Sequence, residues 1–276
     1  MGFYSPHPHN MPLARQPRTI IRITSNTLTF ALPSADNPRS IQIAPYTVKS
    51  GMSMAVNMRE ALRDNPVLVE TSPRAMVLVD TPVMHVPMDE YVAEESEAMY
   101  HHTFPGHHHD NILQYVIADL HCVAVFAVNK DLHMVLHDNF DDVRIMPLSA
   151  NVWSHLHQRS YTGATRKLYA YFHDKHLEVI SYANKRFRFF NVFDATEQAD
   201  CVYFILYIWK QLALDSKRDE LYLLGEYAEM ESLRNELKQY VMCTYPINPS
   251  AEFNRAPVTR LSQATYDIVC LVEAEK

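Results

Sequence analysis

The stretch from Arg166 to Leu214 constrains the fold more than any other part of the chain. Three runs rich in β-branched and aromatic residues span 166–172, 176–182 and 186–193. They are separated by the polar turns His173-Asp-Lys175 and Ala183-Asn-Lys185. Strand formers broken by short polar turns predict an antiparallel meander. Asp194-Ala-Thr-Glu197 then places a capping carboxylate three residues before a Glu, a helix-start signature. The helix that follows, through Cys201–Trp209, is apolar on nearly every face and must be covered on several sides.

The chain before this stretch carries a similar order. Residues 1–18 hold four prolines and no hydrophobic period, and are expected to be a flexible tail. Thr19–Thr24 and Thr27–Ala31 flank Ser25-Asn26 as a tight hairpin, with a third strand at Ser40–Ala44. A helix over Met52–Arg63 sets Met54, Met58, Ala61 and Leu62 on one face, with Ser50 or Ser53 as cap and Pro66 as terminator. Arg74–Val79 is continuously apolar, as a central parallel strand should be. An acidic helix over Met88–Tyr100 follows, then a His-rich turn and strands at Ile112–Ile117 and Cys122–Val128. A helix at Lys130–Asn139, a strand at Val143–Met146 and a helix at Ser149–Ser160 close this half.

Beyond the meander, the pattern predicts a strand at Glu220–Leu224 and a helix over Ala228–Val241, with Met230, Leu233, Leu237 and Tyr240 or Val241 inward. Strands at Met242–Tyr245 and Tyr266–Leu271 complete the reading. The expected organisation is a tail at 1–18, a first half at 19–161 with an insertion over about 82–128, and a second half at 162–276. The fold class is α/β, with two mixed sheets flanked by helices.

Composition narrows the function classes. The net charge of −7 argues against a dedicated nucleic-acid or anionic-membrane binder. No apolar run approaches the ~20 residues that span a bilayer. The N-terminus lacks a signal-peptide core, and Pro6 stands where a myristoylation signal has Ser or Thr. Cys122, Cys201, Cys243 and Cys270 are far apart in apolar patterns, so buried free thiols in a cytoplasmic protein are expected.

The duplicated order resembles the actin-like ATPase fold, a pair of ribonuclease-H-like halves. It is more similar to the type IV pilus assembly branch, where a strand leads through a Leu/Val-x-Pro and a Glu-rich helix into an inserted hairpin. The matching words are Val77-Leu-Val-Asp-Thr-Pro82, Met88-Asp-Glu90, Val123-Ala-Val-Phe-Ala127 and Asn129-Lys-Asp131. Over roughly residues 19–272 the chain also resembles a bacterial family of unknown function with this fold. That likeness rests on Lys167-Leu-Tyr-Ala-Tyr-Phe172, Trp209-Lys-Gln211, Asp219-Glu220 and Asn254-Arg-Ala-Pro257.

Against that resemblance, the nucleotide motifs are missing. Actin-like ATPases open each half with an Asp-x-Gly hairpin, whose carboxylate organises Mg²⁺ and whose Gly lets amides approach phosphate. The first hairpin here is Ile23-Thr-Ser-Asn-Thr27, without acid or Gly. The second is Phe172-His-Asp-Lys-His176, with Asp174 at the tip and no Gly. A third element, packing on adenosine, would fall at Leu224-Gly-Glu-Tyr227 with a single Gly. The five glycines of the chain are too few for backbone phosphate cradles. The leading expectation is therefore a non-enzymatic scaffold or protein-interaction module with a degenerate nucleotide site, an unknown protein partner and no cofactor. The alternative is an ATPase binding ATP and Mg through Ser25, Asn26, Asp174, Lys175, Gly225 and Glu226. A third reading is an RNA-associated accessory protein.

Other constellations have plainer explanations. His101-His102, His107-His108-His109 and the pair His133 and His137 lack Cys or carboxylate partners at fixed spacing, so no metal site is expected. In Lys185-Arg-Phe-Arg-Phe-Phe190, strand alternation predicts Phe187 and Phe189 on one face and Arg186 and Arg188 on the other. Asp80, Asp174, Asp194 and Glu226 lie near strand ends, but Arg22 stands where a ribonuclease-H-type nuclease places an acid. No catalytic set emerges.

Overall fold

The computed structural model describes residues 18–33, 41–184 and 186–274, so all of the expected tail at 1–18 but Arg18 lies outside the described residues; Arg18 itself is buried and donates to the Ala75 carbonyl at 3.2 Å. The chain forms two compact units. One comprises the stretch ending at Asp80, His109–Asn111 and Val128–Met146; the other comprises Thr81–His108, Ile112–Ala127 and the chain from Pro147 onward.

The first unit opens with β1 (Thr19–Ile23), β2 (Leu28–Pro33), β3 (Ile41–Tyr46), α1 (Met54–Asp64), α2 (Val67–Glu70) and β4 (Arg74–Val79). The next elements along the chain, β5 (Val83–Pro87), α3 (Ala93–Thr103), β6 (Asp110–Ile117) and β7 (Cys122–Asn129), fall for the most part in the second unit. The first unit is completed by α4 (Lys130–Asn139) and β8 (Asp142–Pro147). Its sheet runs β3-β2-β1-β4-β8, with β1 antiparallel to β2 and parallel to β4. Every residue of β1 and β4 is buried, as expected of strands covered on both faces. Ser53 caps α1 by accepting from the Val56 amide at 3.3 Å. The helix buries Ala55, Met58, Ala61 and Leu62, and α4 packs beside it.

The second unit holds α5 (Ala150–Ser160), β9 (Lys167–His173), β10 (His176–Ala183), β11 (Arg186–Asp194) and α6 (Gln198–Gln211). It continues with β12 (Glu220–Gly225), α7 (Met230–Leu237), β13 (Cys243–Pro246), α8 (Pro249–Glu252) and α9 (Tyr266–Ala274). Its sheet runs β11-β10-β9-β12-β13, three antiparallel strands followed by two parallel ones. The duplication of one architecture in two separate sheets is thus present. The insertion adds a third sheet, β5-β7-β6. One face of it meets α3 through Val86, Val123, Val125 and Tyr100, whose hydroxyl donates to the Pro82 carbonyl at 2.8 Å. From the other face, His85 reaches Trp153 of α5 and Phe187 and Phe190 of β11, with ring centroids 4.5–4.7 Å apart.

Several sequence expectations are corrected. Tyr266–Leu271 is helical, not a strand; its apolar run is too short for periodicity to decide, and all six residues are buried. With that change the described chain after β13 holds helices and no strand. Asp194 is no helix cap: it is the last residue of β11, opposite His176, and its Oδ1 lies 3.2 Å from His176 Nε2. The helix starts four residues later, with Glu197 at the N-cap position. One face of α6 is open, because Tyr203 and Tyr207 are exposed and stack on each other. The acidic helix starts only at Ala93, after β5 and a single turn at Met88–Glu90. Tyr240 points out and Val241 in, and Cys243 is half-exposed.

Phe187 and Phe189 do not share a face. Ser181 pairs with Phe189 but Tyr182 pairs with Phe187, which makes Arg188 the extra residue of a β-bulge. The shift turns Phe187 to the side of Phe190 and Trp153, while Phe189 packs on the α6 side with Phe193. Arg188 donates to the Leu212 carbonyl at 2.9 Å, and Arg186 pairs with Asp89 at 2.5 Å.

Candidate functional site

At the tip of β1–β2, Ser25 and Asn26 are exposed. The turn is closed by its own threonines: the Thr24 amide donates to the Thr27 carbonyl at 3.0 Å. Thr24 Oγ1 accepts from the Thr27 amide at 3.1 Å and from the Asn26 amide at 3.4 Å. Arg22, buried, reaches Thr27 Oγ1 at 3.2 Å. Amides that a phosphate cradle would aim outward are here turned toward a hydroxyl.

In the second unit, Asp174 and Lys175 form the two-residue turn between β9 and β10, with φ of 44° and 70°. Both central residues left-handed is the geometry that matches strand twist, and a Lys there is strained. Lys175 is exposed; Asp174 lies 3.7 Å from His173 Nδ1. Gly225 ends β12 beside Phe172 with φ of 92°, and a Cβ on it would come within 2.0 Å of the Phe172 carbonyl oxygen. Close strand packing therefore accounts for this glycine. The Glu226 amide donates to the same carbonyl at 2.8 Å, and its carboxylate accepts from the Tyr266 amide at 2.8 Å, at the start of α9. The turn and the Gly225–Glu226 pair thus flank the same end of β9.

Two clusters had escaped the sequence reading. Glu178, mid-strand in β10 and 4% exposed, accepts from Ser149 Oγ at 2.6 Å and from Trp153 Nε1 at 2.8 Å, and lies 3.1 Å from His173 Nε2. A buried carboxylate so satisfied ties the start of α5 to the sheet. A Glu between Leu177 and Val179 in an otherwise apolar strand was its sequence signal. The second is Glu252, which accepts from Arg159 at 2.5 Å and sits 3.0 Å from His155 Nε2. The His155 hydrogen bond, helped by the Arg159 charge, holds its carboxyl below the usual range. The i, i+4 spacing of His155 and Arg159 was the available hint.

Glu252 lines a cleft of 690 Å³ in the second unit. The insertion contributes Tyr115–Asp119, α5 contributes Asn151, Ser154, His155 and Gln158, and α8 and α9 close it with Phe253, Cys270 and Glu273. Its volume suits a small ligand or a few side chains of a peptide. Val116, at 57% exposure, stands on its rim.

Residues 14–242 match the family described as Protein of unknown function (DUF3822). The chain belongs to that family. No functionally curated protein matches it. Among solved structures, this DUF3822 chain is similar to a Bacteroides thetaiotaomicron protein with actin-like ATPase fold and unknown function. The TM-score is 0.78 at 20% identity, covering 94% of this chain and 96% of that one. It is also similar to a chain of the PilM–PilN type IV pilus biogenesis complex, with a TM-score of 0.58 at 11% identity, covering 95% and 98%. The fold is therefore the actin-like ATPase fold. No helix among the described residues is long and apolar enough to cross a membrane.

Proposed function

We propose that this DUF3822 protein is a non-enzymatic actin-like scaffold that binds a protein partner through its insertion and the cleft beside it, with a degenerate nucleotide site and no cofactor. The observation that carries this reading is the cleft itself, built jointly by the insertion and by α5, α8 and α9. Insertions on a rigid scaffold tend to carry recognition, because the core constrains them least. The fold neighbour PilM is found in a complex with PilN, which supports a protein partner for this fold. The Thr24 hydroxyl facing the first turn's amides and the packing role of Gly225 both argue against a phosphate cradle. An ATPase reading draws its support from the exposed Lys175 at the second turn. The RNA reading is weakened because Arg186 and Arg188 are directed at protein groups.

The test is hydrogen exchange with and without the protein that co-purifies from the native cells. Protection is expected over 115–119 and 151–158; protection confined to 198–237 would overturn the proposal. Val116→Asp should weaken that complex while leaving the melting temperature unchanged.

A further inference from the structure

The His residues that the proposed function leaves unused include one pair with a shared geometry. His133 and His137 stand on consecutive turns of α4, their ring centroids 4.3 Å apart and their planes inclined by 36°. The helix buries Leu132, Val135 and Leu136, which leaves His133 half-buried on the flank and His137 exposed. Among the described residues, neither ring has a hydrogen-bonding protein partner, so nothing in the fold fixes the pair except packing and proximity.

From this geometry we infer that His133 and His137 form a two-imidazole chelate for a borderline divalent transition-metal ion of the Zn²⁺, Ni²⁺ or Cu²⁺ class. Imidazoles at i and i+4 project from one helix face and can grip one ion, which is the physical content of metal-binding His pairs on helices. Two nitrogens each ~2.0–2.1 Å from a tetrahedral ion sit roughly 3.3 Å apart, and rings already 4.3 Å apart need only small rotations to reach that. The neutral imidazole is the form that binds metal. Water, or a donor from a partner, would occupy the remaining positions, as expected of an open rather than a structural site. The sequence spacing argued against a metal because no Cys or carboxylate completes a closed set; an open two-nitrogen site needs none.

The experiment is calorimetric titration of the full chain with Zn²⁺ in a non-coordinating buffer, repeated for variants. Wild type should bind one equivalent near micromolar Kd that His137→Ala and His133→Ala each abolish, since a single imidazole holds the ion at least tenfold more weakly. His137 is exposed, so its variant keeps the fold and the far-ultraviolet circular dichroism of wild type. The paired substitution His101→Ala with His108→Ala, whose rings lie 5.0 Å apart between the end of α3 and the turn after it, should leave that equivalent in place. The inference fails if His137→Ala binds Zn²⁺ with unchanged stoichiometry and affinity, if the His101/His108 variant loses the equivalent instead, or if wild type shows no site tighter than about 0.1 mM.

Discussion

Removing the Glu178 carboxylate should cost more than any other single polar deletion in the second unit. Truncation to Ala strands three groups at once: the Ser149 hydroxyl, the Trp153 indole N–H and His173, each no more than 4% exposed. A buried donor left without a partner costs about 1–3 kcal/mol, and breaking a buried charged cluster from one side about 3–5 kcal/mol. Since water can enter the cavity and serve one of the three, about 3–5 kcal/mol is the expected loss for Glu178→Ala. Glu178→Gln is the informative control. Its amide oxygen can accept from Trp153, which can only donate, while its NH₂ faces Ser149, which can turn to accept. That variant forfeits charge assistance alone, about 1–2 kcal/mol. Urea unfolding followed by tryptophan fluorescence measures both, and the order matters as much as the size. A Glu178→Ala loss below about 1 kcal/mol, or a Gln variant as unstable as Ala, would refute the account of Glu178 as the acceptor joining α5 to β10.

Gly225→Ala should destabilise by about 3 kcal/mol or more, because the new Cβ meets the Phe172 carbonyl at 2.0 Å in a left-handed backbone; a melting temperature equal to wild type would contradict that. The His85 imidazole, with Nε2 shut from solvent and without a hydrogen bond, has its pKa pushed down to about 3 by burial. Below the unfolded value near 6.5 the unfolded chain binds a proton that the folded one refuses. Stability should therefore fall by about 1.4 kcal/mol per pH unit from about pH 6.5 toward 3, and His85→Phe should abolish that slope in melts at pH 7.5 and 5. Titration with Mg-ATP should show no binding tighter than about millimolar, ~4 kcal/mol; a micromolar Kd lost in Asp174→Ala or Lys175→Ala would establish a working nucleotide pocket.

Much of the architecture was legible because the meander from Lys167 to Asp194 combines strand formers with short polar turns, and because β1 and β4 are unbroken apolar runs. Local signals failed where tertiary context decided. Tyr266–Leu271 reads as a strand by residue type, yet it is a helix whose first amide is taken by Glu226, forty positions earlier. The Asp194 signature lost to strand pairing with His176, a partner that no local window contains. A bulge at Arg188 changes the phase of the aromatic residues without changing a single residue type. The cleft could not be read at all, since its walls come from 115–119, 151–158, 252–254 and 270–274.

The docking of His85 among Trp153, Phe187 and Phe190 bears on how the chain is made. The inserted sheet leaves the ribosome about 60 residues ahead of the aromatic wall on β11, a delay of roughly 3–12 s at about 5–20 residues per second. During synthesis its second face stands without a counterpart, so a ribosome stalled near Lys175 would present a nascent chain with an uncovered imidazole and strand surface. Cutting the gene between Tyr161 and Thr162 would make that transient state permanent: the upstream fragment would keep His85 and Trp153 but lack both phenylalanines. Circular permutants that preserve this contact should be recovered more readily in soluble form than fragments that divide it.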